Sequence, residues 1–507
     1  MLDLNTPVLV GVGQVTQKEV RLQHASSPVD LMERAARLAA KDAGLDLARL
    51  RDLDALIVVR SFREATQNSP AEVAQRLGAD KAEQWLAPNG GNGPQYLVNR
   101  YAEEVSKGRS QMVLLTGAEA IDSARRMIKN GDKPDWHKPS QKDPKYLYSF
   151  KEMATPVETA HGIVNPSDVY ALFENALRSH YGRSIDEHQQ IVGELFAKFS
   201  DVAAQSEHAW FPVSRSAEEI VTASPSNRLV SWPYTKLMCA MNQDNQSAAL
   251  LLTSVGYAKD HGIDESSWIF LHGCADCTEI WNISDRVNYF SSPAIRLMGE
   301  RALDMAQISI NDIDFFDLYS CFPSAVEIAR DELGIGEHDS RPLTVTGGLP
   351  FHGGAGNNYV MNSIAAMVDR LRAEPGKFGM VTANGGFLGK HAAGIYSTVP
   401  TKSQWQRESP ATYQALIDDM TRPSGVDHPS GIAHIETYSV TFNRDEQPER
   451  GIVIGRLGGL DDPLAPRFVA NTPKDCDVLR AMTREEFIGR SGRVTNNAGL
   501  NVFSPEV

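Results

Sequence analysis

Two stretches of this 507-residue chain resemble each other: NGGNGPQYLV at residues 89–98 and HGGAGNNYVM at residues 352–361. Both contain Gly-Gly-x-Gly, a side-chain amide one residue before a tyrosine, and an apolar pair after that tyrosine. A helical pattern and then a β-like run follow each stretch. Because self-similarity between distant segments marks an internal repeat, the match predicts two copies of one structural unit.

The sequence around the two stretches is typical of an α/β protein. The first 120 residues alternate short apolar runs with helical patterns, which predicts a layered α/β sheet. In the second half, DIDFFDLYSCFPSAVEIARDELG, residues 312–334, echoes a strand-to-helix step of the first half. The fold predicted from these patterns is α/β and duplicated.

Changes in sequence texture divide the chain into four predicted parts. Residues 1–125 with 228–258 form the N-terminal half of the duplication, and residues 259–404 form the C-terminal half. Residues 126–227, with a Pro- and Lys-rich stretch and two helical segments, are predicted to be a loop and a helical lid insertion. Residues 405–507 contain short period-two strands bounded by Gly, Asp and Pro, which predicts a small additional β-barrel-like domain.

Composition excludes several classes of protein. No run approaches the roughly 20 apolar residues of a membrane span, so none is predicted. The N-terminal MLDLNTPVLVGVGQ lacks the features of a signal peptide, and the five cysteines are too scattered for a disulfide framework, so we expect a cytoplasmic protein. The net charge of −14 opposes nucleic-acid binding.

One segment runs against the acidic balance of the chain. Residues 125–152 hold eight Lys or Arg against four acids. Arg125, Arg126 and Lys145 in this segment are therefore candidates for holding a phosphorylated ligand such as CoA. The alternative is a solvated loop that carries charges of both signs.

The duplicated α/β unit, the insertion in its first half and the Gly-rich loops before paired helices resemble the thiolase superfamily, whose members make or split carbon–carbon bonds in acyl-CoA thioesters. NPSDVYALFENALRSHYG at residues 165–182 and LYSCF at residues 318–322 are similar to its sterol-carrier-type branch, where LYSCF stands at a His-Asp-Cys-Phe signature. The C-terminal addition resembles the thiolase-like proteins of type 1. The resemblance implies a five-layered α-β-α-β-α thiolase fold.

The resemblance also implies where a thiolase carries its two cysteines, and this chain has neither. The nucleophile position falls on Gly90 and the second position on Ala383, and no cysteine occurs before residue 239. A thiolate at a helix N-terminus has a lowered pKa and can carry an acyl group, which glycine cannot do. The loop is thus predicted to keep the backbone of a nucleophile loop without its sulfur.

Three polar side chains remain candidates for catalysis. Cys321 matches the cysteine of the signature, which the resemblance implies is an acid/base, but it is equally typical of a small buried residue. Tyr319 stands where the signature has His, and a phenol can donate a hydrogen bond or exchange a proton, as in the similar steroid side-chain aldolases. In GGLPFH at residues 347–352, His352 follows the Gly-Gly pair two residues sooner than the family pattern has it. A structural role in a turn is the alternative for this histidine.

The two Gly-rich loops supply the candidate oxyanion site. Asn89 and Gly90 in the first loop, and Asn384 and Gly385 in TANGG, lie where family members surround the thioester; Asn242 is a weaker candidate. Glycines at a helix N-terminus can present backbone N–H groups to an anion or a carbonyl oxygen. Asn in a Gly-rich turn is also commonly present for its backbone geometry.

Two other motifs predict no resident cofactor. CADC at residues 274–277 is a lone Cys-x-x-Cys and a poor zinc site, so no metal is predicted. GVGQVTQ near the N-terminus lacks the third glycine of a dinucleotide fingerprint. CoA or acyl-CoA, bound transiently, is the ligand that the resemblance implies.

Three functional hypotheses follow. The first is an acyl-CoA-binding protein of the acetyl-CoA acetyltransferase family, in lipid metabolism, without ordinary thiolase activity. The second is a retro-aldolase or other carbon–carbon lyase that acts on a CoA thioester with Tyr319 as acid/base. The third assigns oligonucleotide or partner binding to the C-terminal domain, which has few aromatic residues for that task. A homo-oligomer and a monomer both remain open.

Overall fold

The computed structural model describes residues 2–18, 21–63, 66–149 and 151–506, which form an α/β body and a small β-barrel. The strands are β1 Pro7–Thr16, β2 Ala55–Val59, β3 Glu83–Ala87, β4 Met112–Ala120, β5 Leu229–Trp232, β6 Tyr234–Thr235, β7 Asn245–Ser254, β8 Ile269–Thr278, β9 Phe315–Asp317, β10 Phe378–Gly385, β11 Lys390–Ser397, β12 Gly431–Phe442, β13 Pro448–Leu457, β14 Arg467–Asn471, β15 Ser491–Asn497 and β16 Leu500–Pro505. The helices are α1 Pro28–Asp42, α2 Ser69–Leu77, α3 Gly93–Ser106, α4 Ile121–Lys129, α5 Pro156–Ala160, α6 Pro166–His180, α7 Ile185–Ala204, α8 Ala217–Val221, α9 Val255–Asp260, α10 Pro293–Ala306, α11 Pro323–Glu332, α12 Gly348–Phe351, α13 Tyr359–Ala373, α14 Pro410–Asp418 and α15 Cys476–Ala481.

The body is built on one nine-stranded sheet of order β3-β2-β4-β7-β1-β8-β11-β10-β9. The order and direction of pairing repeat: β1–β7–β4 are antiparallel neighbours and β4 is parallel to β2, just as β8–β11–β10 are antiparallel neighbours and β10 is parallel to β9. The two halves join where β1 lies beside β8. The duplication predicted from the two Gly-rich stretches is confirmed.

Helices α3 and α13, which follow the two Gly-rich stretches, lie between the half-sheets. Each contacts strands of both halves and contacts the other helix. On the outer faces, α1 packs on β1, β4 and β7, and α10 packs on β8 and β11. The layers are therefore α-β-α-β-α, and the predicted five-layered thiolase fold is confirmed.

Two equivalent glycines let the outer helices lie close to the sheet. Gly11 and Gly273 are each the fifth residue of their strand. A side-chain carbon at Gly11 would lie 2.1 Å from the carbonyl oxygen of Ala39 in α1, and one at Gly273 would lie 2.0 Å from that of Ala302 in α10. Backbone therefore packs directly on backbone in both halves.

The C-terminal region forms a closed barrel, as predicted. Strands β13, β14, β16, β15 and β12 pair in that order, and β12 pairs with β13 to close the ring. Strand β5, which follows the insertion, pairs with the C-terminal end of β12. In the insertion, α6 packs on β12 and on α11 of the body. The residue boundaries of the four parts stay predictions.

Among the described residues, no helix combines the length and apolar character that a membrane crossing needs.

Candidate functional site

A cavity of about 480 Å³ opens where loops of the two halves and the insertion meet. Its size is typical of small-molecule sites. Seven of the residues singled out from the sequence line it: Asn89, Gly90, Asn242, Tyr319, Cys321, Asn384 and Gly385. The insertion contributes Tyr170 and Met153, which sequence analysis did not single out. The duplication thus brings together residues that are almost 300 positions apart.

The space at Gly90, where the resemblance places the nucleophile, is occupied. Gly90 has a φ of +154°. A side-chain carbon there would lie 2.5 Å from Lys390 Nζ and 2.5 Å from Asn92 Oδ1. A cysteine therefore cannot be accommodated unless these groups move, and a lysine amine takes the place of the sulfur.

The first Gly-rich loop is held by the second. The N–H of Gly90 donates to Asn357 Oδ1 at 2.8 Å, and Asn357 Nδ2 donates to the carbonyl of Arg60 at 2.8 Å and to Asn89 Oδ1 at 3.3 Å. The loop is rigid for this reason. The Gly90 amide already has an acceptor, so a ligand would have to use other donors.

Tyr319 presents a free phenol to the cavity. A side-chain carbon at Gly91 would lie 2.2 Å from Tyr319 Oη, which places the hydroxyl beside this loop. The hydroxyl makes no hydrogen bond to any other described side chain or backbone group, whereas the backbone N–H of Tyr319 donates to Thr382 Oγ1 at 3.0 Å. Burial raises the pKa of Tyr319 well above its usual value, and Cys321 adds to the effect. The phenol therefore stays protonated and acts as a donor.

The thiols of the cavity are not activated. Cys321 and Cys239 both line it. Burial raises the pKa of each thiol to about 12, and no basic side chain offsets the effect at Cys321. Because the thiolate is the nucleophile, both cysteines are inert in this environment.

Asn384 is fixed by Tyr170. Its Nδ2 donates to Tyr170 Oη at 2.7 Å, and this hydroxyl donates in turn to the carbonyl of Gly386 at 3.2 Å. The Oδ1 atom of Asn384 is buried and has no partner in the described part of the chain. The insertion thus positions an amide at the end of β10.

His352 lies behind the cavity and does not line it. Its carbonyl accepts from the backbone of Trp210 at 2.6 Å and from Gln246 Nε2 at 2.9 Å, and burial lowers the pKa of its ring to about 4. Two residues on, at the family spacing, the chain has Gly354, where a side-chain carbon would lie 2.3 Å from Asn242 Oδ1. Asn242 lines the cavity in the place of an imidazole.

Arg125 lies in a basic groove that adjoins the cavity. The groove has a volume of about 490 Å³ and shares Cys239 and Ala240 with the cavity. Four basic side chains line it: Arg125, Arg228, Lys236 and Arg444. The last three are dispersed in the sequence and gave no local charge signal.

Arg126 and Lys145 lie elsewhere. Arg126 pairs with Asp122 on α4 at 3.5 Å. The Nζ of Lys145 lies 5.7 Å from the ring centre of Trp85, and the carbonyl of Lys145 accepts from the backbone of Leu86 at 2.8 Å. The basic segment of the sequence therefore does not form one patch.

Comparison with known proteins places the chain. The family model of the thiolase-like protein type 1 additional C-terminal domain matches residues 413–498. The crystal structure of a monomeric SCP2-thiolase-like protein type 1 from Mycobacterium smegmatis is 36% identical, covers 99% of each chain and superposes with a TM-score of 0.85. The chain belongs to the SCP2-thiolase-like proteins of type 1.

More distant relatives of this type 1 protein share the fold. The Ltp2-ChsH2(DUF35) aldolase is 18% identical over 78% of this chain and 99% of its own, with a TM-score of 0.60. The dimeric peroxisomal thiolase of Saccharomyces cerevisiae is 13% identical over 78% and 98%, with a TM-score of 0.56. An acetyl-CoA acetyltransferase of Methanocaldococcus jannaschii is 23% identical over 233 residues, so the chain spans about half (51%) of that curated relative.

One cluster of this type 1 protein has the composition of a metal site. Ligand atoms of Glu174, His188 and Glu327, all buried, lie within 4.8 Å of one another. His188 Nε2 lies 2.7 Å from Glu174 Oε1, and an Arg183 nitrogen lies 3.6 Å from Glu327 Oε1. Burial raises the pKa of both carboxyl groups and lowers that of His188, so all three favour their neutral forms in this cluster between α6, α7 and α11.

Proposed function

We propose that this thiolase-like protein binds CoA thioesters, with the acyl group in the central cavity and the phosphates of CoA in the basic groove. The groove adjoins the cavity, and Arg125 and Arg228 in it are of the type that binds phosphate with charge-assisted hydrogen bonds. Tyr319 supplies a donor for the thioester oxygen. An acyl-CoA ligand would connect the protein to lipid metabolism.

The proposed function does not include acyl transfer through a cysteine. The observation that carries this point is the filled position at Gly90, where Lys390 Nζ and Asn92 Oδ1 each lie 2.5 Å from the place of a side-chain carbon. Burial raises the pKa of Cys321 to about 12, so the thiol form predominates at neutral pH and the nucleophilic thiolate is disfavoured. No activated cysteine is therefore present in the cavity to form a covalent acyl-enzyme.

Binding is tested by calorimetric titration with acetyl-CoA. Arg125→Ala should weaken binding by about five- to tenfold, the loss of one charge-assisted contact. Arg126→Ala is the matched control, because Arg126 is the neighbour of Arg125 on α4 but lies outside the groove. The affinity of this variant for acetyl-CoA should stay within about twofold of wild type. Equal losses in both variants, or no binding by wild type, would contradict the proposed binding mode.

Acyl transfer is tested separately by thiolysis of acetoacetyl-CoA and by intact mass after incubation with acetyl-CoA. We expect neither turnover nor an added acetyl mass. An acetyl group on Cys321, lost in Cys321→Ala, would establish covalent transfer and overturn this part of the proposal.

Retro-aldol cleavage of a β-hydroxyacyl-CoA is the second candidate, favoured by the unbonded phenol of Tyr319. In this reaction the bond between the α and β carbons breaks, the hydroxyl proton leaves to a base, and the thioester enolate takes a proton. Tyr319→Phe should lower turnover about 100-fold or more, because the enolate oxygen loses its donor. Tyr146→Phe, at an exposed position, is the control; unchanged turnover in Tyr319→Phe would eliminate the assignment.

A further inference from the structure

Lys390 brings an amine to the wall of the cavity, beside the first Gly-rich loop. It begins β11, pairs there with Thr278 of β8, and its Nζ donates to the backbone carbonyl of Asn89 at 2.7 Å. In the described part of the chain, no carboxylate forms an ion pair with this amine. One of its three N–H groups donates to this carbonyl, and the other two have no acceptor among the described residues.

Two glycines of the cavity wall lie against the side chain of Lys390. Gly90 and Gly385 both line the cavity. A side-chain carbon at Gly385 would lie 3.1 Å from Lys390 Cε, and one at Gly90 would lie 2.5 Å from Lys390 Nζ. Lys390 does not itself line the cavity, but at Gly90 and Gly385 only glycine backbone lies between its side chain and the cavity.

Lys390 and Tyr319 flank consecutive glycines. The amine lies beside Gly90 and the phenol beside Gly91, whose Cα atoms are about 3.8 Å apart. Burial lowers the pKa of Lys390 to about 8 and raises that of Tyr319. Environments that push two groups in opposite directions are typical of an acid/base pair.

We propose that Lys390 is the base of this cavity and removes a proton from the carbon next to the thioester carbonyl of a bound acyl-CoA. The C–H bond breaks, the proton bonds to Nζ, and the electron pair forms the enolate, whose oxygen accepts a hydrogen bond from Tyr319. The reverse step returns the proton to carbon. The inference rests on the proposed function, because the acyl-CoA must occupy the cavity.

Burial alone lowers the pKa of Lys390, and no charged group among the described residues contributes to the shift. Glu279, which directly follows β8, accepts a hydrogen bond from Ser292 Oγ at 2.8 Å, and Arg286 donates to the carbonyl of Phe387 at 2.9 Å. Burial lowers the pKa of His391, next in sequence, to about 4, so it stays neutral and carries no charge toward the amine. The first Gly-rich loop and β10 contribute amides and glycines there.

Deuterium exchange tests the proposal. Wild-type protein is incubated with acetyl-CoA in D₂O, and deuterium in the acetyl group is measured by mass spectrometry. We expect exchange whose rate rises with pH and levels off above about 8, where the amine is neutral, rather than near the value of about 10.4 for an exposed lysine. Lys402→Met, at an exposed position, should exchange like wild type.

Two variants at position 390 separate a base from a structural cation. Lys390→Met and Lys390→Arg should both lose about 100-fold or more of the exchange rate, because a guanidinium keeps the charge but cannot accept a proton. Full exchange in Lys390→Arg would overturn the inference. If calorimetry detects acetyl-CoA binding but wild type exchanges no deuterium, Lys390 is not the base although the proposed function stands. If acetyl-CoA does not bind, the proposed function fails and this inference fails with it.

Discussion

At the scale of single residues, position 90 decides whether the loop could return to a thiolase nucleophile. Gly90→Cys should destabilise the protein by about 2–3 kcal/mol, because the new side chain meets Lys390 and Asn92 and the backbone has a φ of +154°. The measurement is denaturant unfolding of wild type and variant.

The control for this prediction lies in the same loop. Gly93→Ala, where an added carbon meets no atom within 4 Å, should change the free energy of unfolding by less than about 0.5 kcal/mol. Gly90→Cys combined with Lys390→Ala should lose less than the sum of the single variants. A fully additive pair would mean that Lys390 is not the obstacle.

Glu119, buried beside the second Gly-rich loop, makes stability depend on pH. Its Oε1 accepts from the N–H of Phe62 at 2.6 Å, but burial, with a contribution from Asp244, raises its pKa to about 8. The unfolded carboxyl ionises near its ordinary value, so between about pH 5 and 8 the unfolded state binds fewer protons and stability falls as pH rises. Above about pH 8 the loss is complete, at about 5 kcal/mol for a carboxyl whose pKa moves from 4.5 to about 8.

Glu119→Gln should remove this loss. Its melting temperature should fall less than that of wild type between pH 5 and 8, as measured by thermal unfolding at each pH. Glu485→Gln, on an exposed carboxyl, should follow the wild-type pH profile. The assignment would be wrong if Glu119→Gln kept the wild-type slope.

Residues of the site differ in how far sequence could predict them. Tyr319 and Cys321 were singled out through the resemblance to a family signature, and Asn89 and Gly90 through a repeated Gly-rich loop that the same resemblance interprets; their meeting at one cavity is seen only in the structure. Lys390 follows an ordinary glycine turn and meets Asn89 only because β11 lies beside β10. Nothing local to Lys390 encodes that contact.

At the scale of elements, the equivalent glycines of β1 and β8 set the distance between sheet and helix. Gly273→Ala should cost about 2–4 kcal/mol of unfolding free energy, because the added methyl would lie 2.0 Å from the carbonyl oxygen of Ala302. Gly11→Ala should cost about the same, given its 2.1 Å approach to Ala39. Equal losses in chemical denaturation would support the symmetry of the two halves.

The control for the element prediction is Gly336→Ala, where no atom lies within 4 Å of the added carbon. It should change stability by less than about 0.5 kcal/mol. If the two strand variants were as neutral as this one, helices α1 and α10 would not be packed on the glycine backbone.

Strands and helices were predicted well where the hydrophobic periodicity of a segment agrees with the internal duplication. They were predicted less well where the pairing strand is distant in sequence. The alternation of the first half and its echo predicted the paired half-sheets. The pairing of β5 with β12 was not predicted, because residues 229–232 and 440–441 are separated by about 200 positions and strand partners are not encoded in either segment alone.

At the scale of the whole molecule, Arg467 fastens the barrel to the body. It is fully buried, donates to both oxygens of Glu436 at 2.8 and 2.7 Å, and also donates to the carbonyls of Ser284, Arg286 and Val287 in the body.

Arg467→Met should lower the free energy of unfolding by about 3–5 kcal/mol, because it leaves part of a buried carboxylate uncompensated. Thermal unfolding is the measurement, and the exposed Arg480→Met, expected to cost less than about 1 kcal/mol, is the control. Equal effects would mean that Arg467 does not fasten the barrel.

The same ion pair contributes to the loss of stability in acid. Burial alone would raise the pKa of Glu436, but the hydrogen bonds from Arg456 and Arg467 outweigh it and lower the pKa. The stability from this group is therefore present above the ordinary glutamate value of about 4.3 and is lost as pH falls through the lower folded value.

The edge of the nine-stranded sheet bears on oligomeric state. Strand β3 is one of the two edge strands, the other being β9, and its Leu86 donates its N–H to the carbonyl of Lys145 at 2.8 Å and accepts from the N–H of Leu147 at 3.0 Å. Because a covered edge cannot pair with a second copy, we expect light scattering after gel filtration to give the monomer mass of 55.7 kDa. Leu147→Pro removes one of the covering donors and should produce a concentration-dependent fraction of dimer, whereas Lys145→Ala keeps the backbone bonds and should stay monomeric. A wild-type dimer at micromolar concentration would mean that the chain associates through another surface or displaces its own cover.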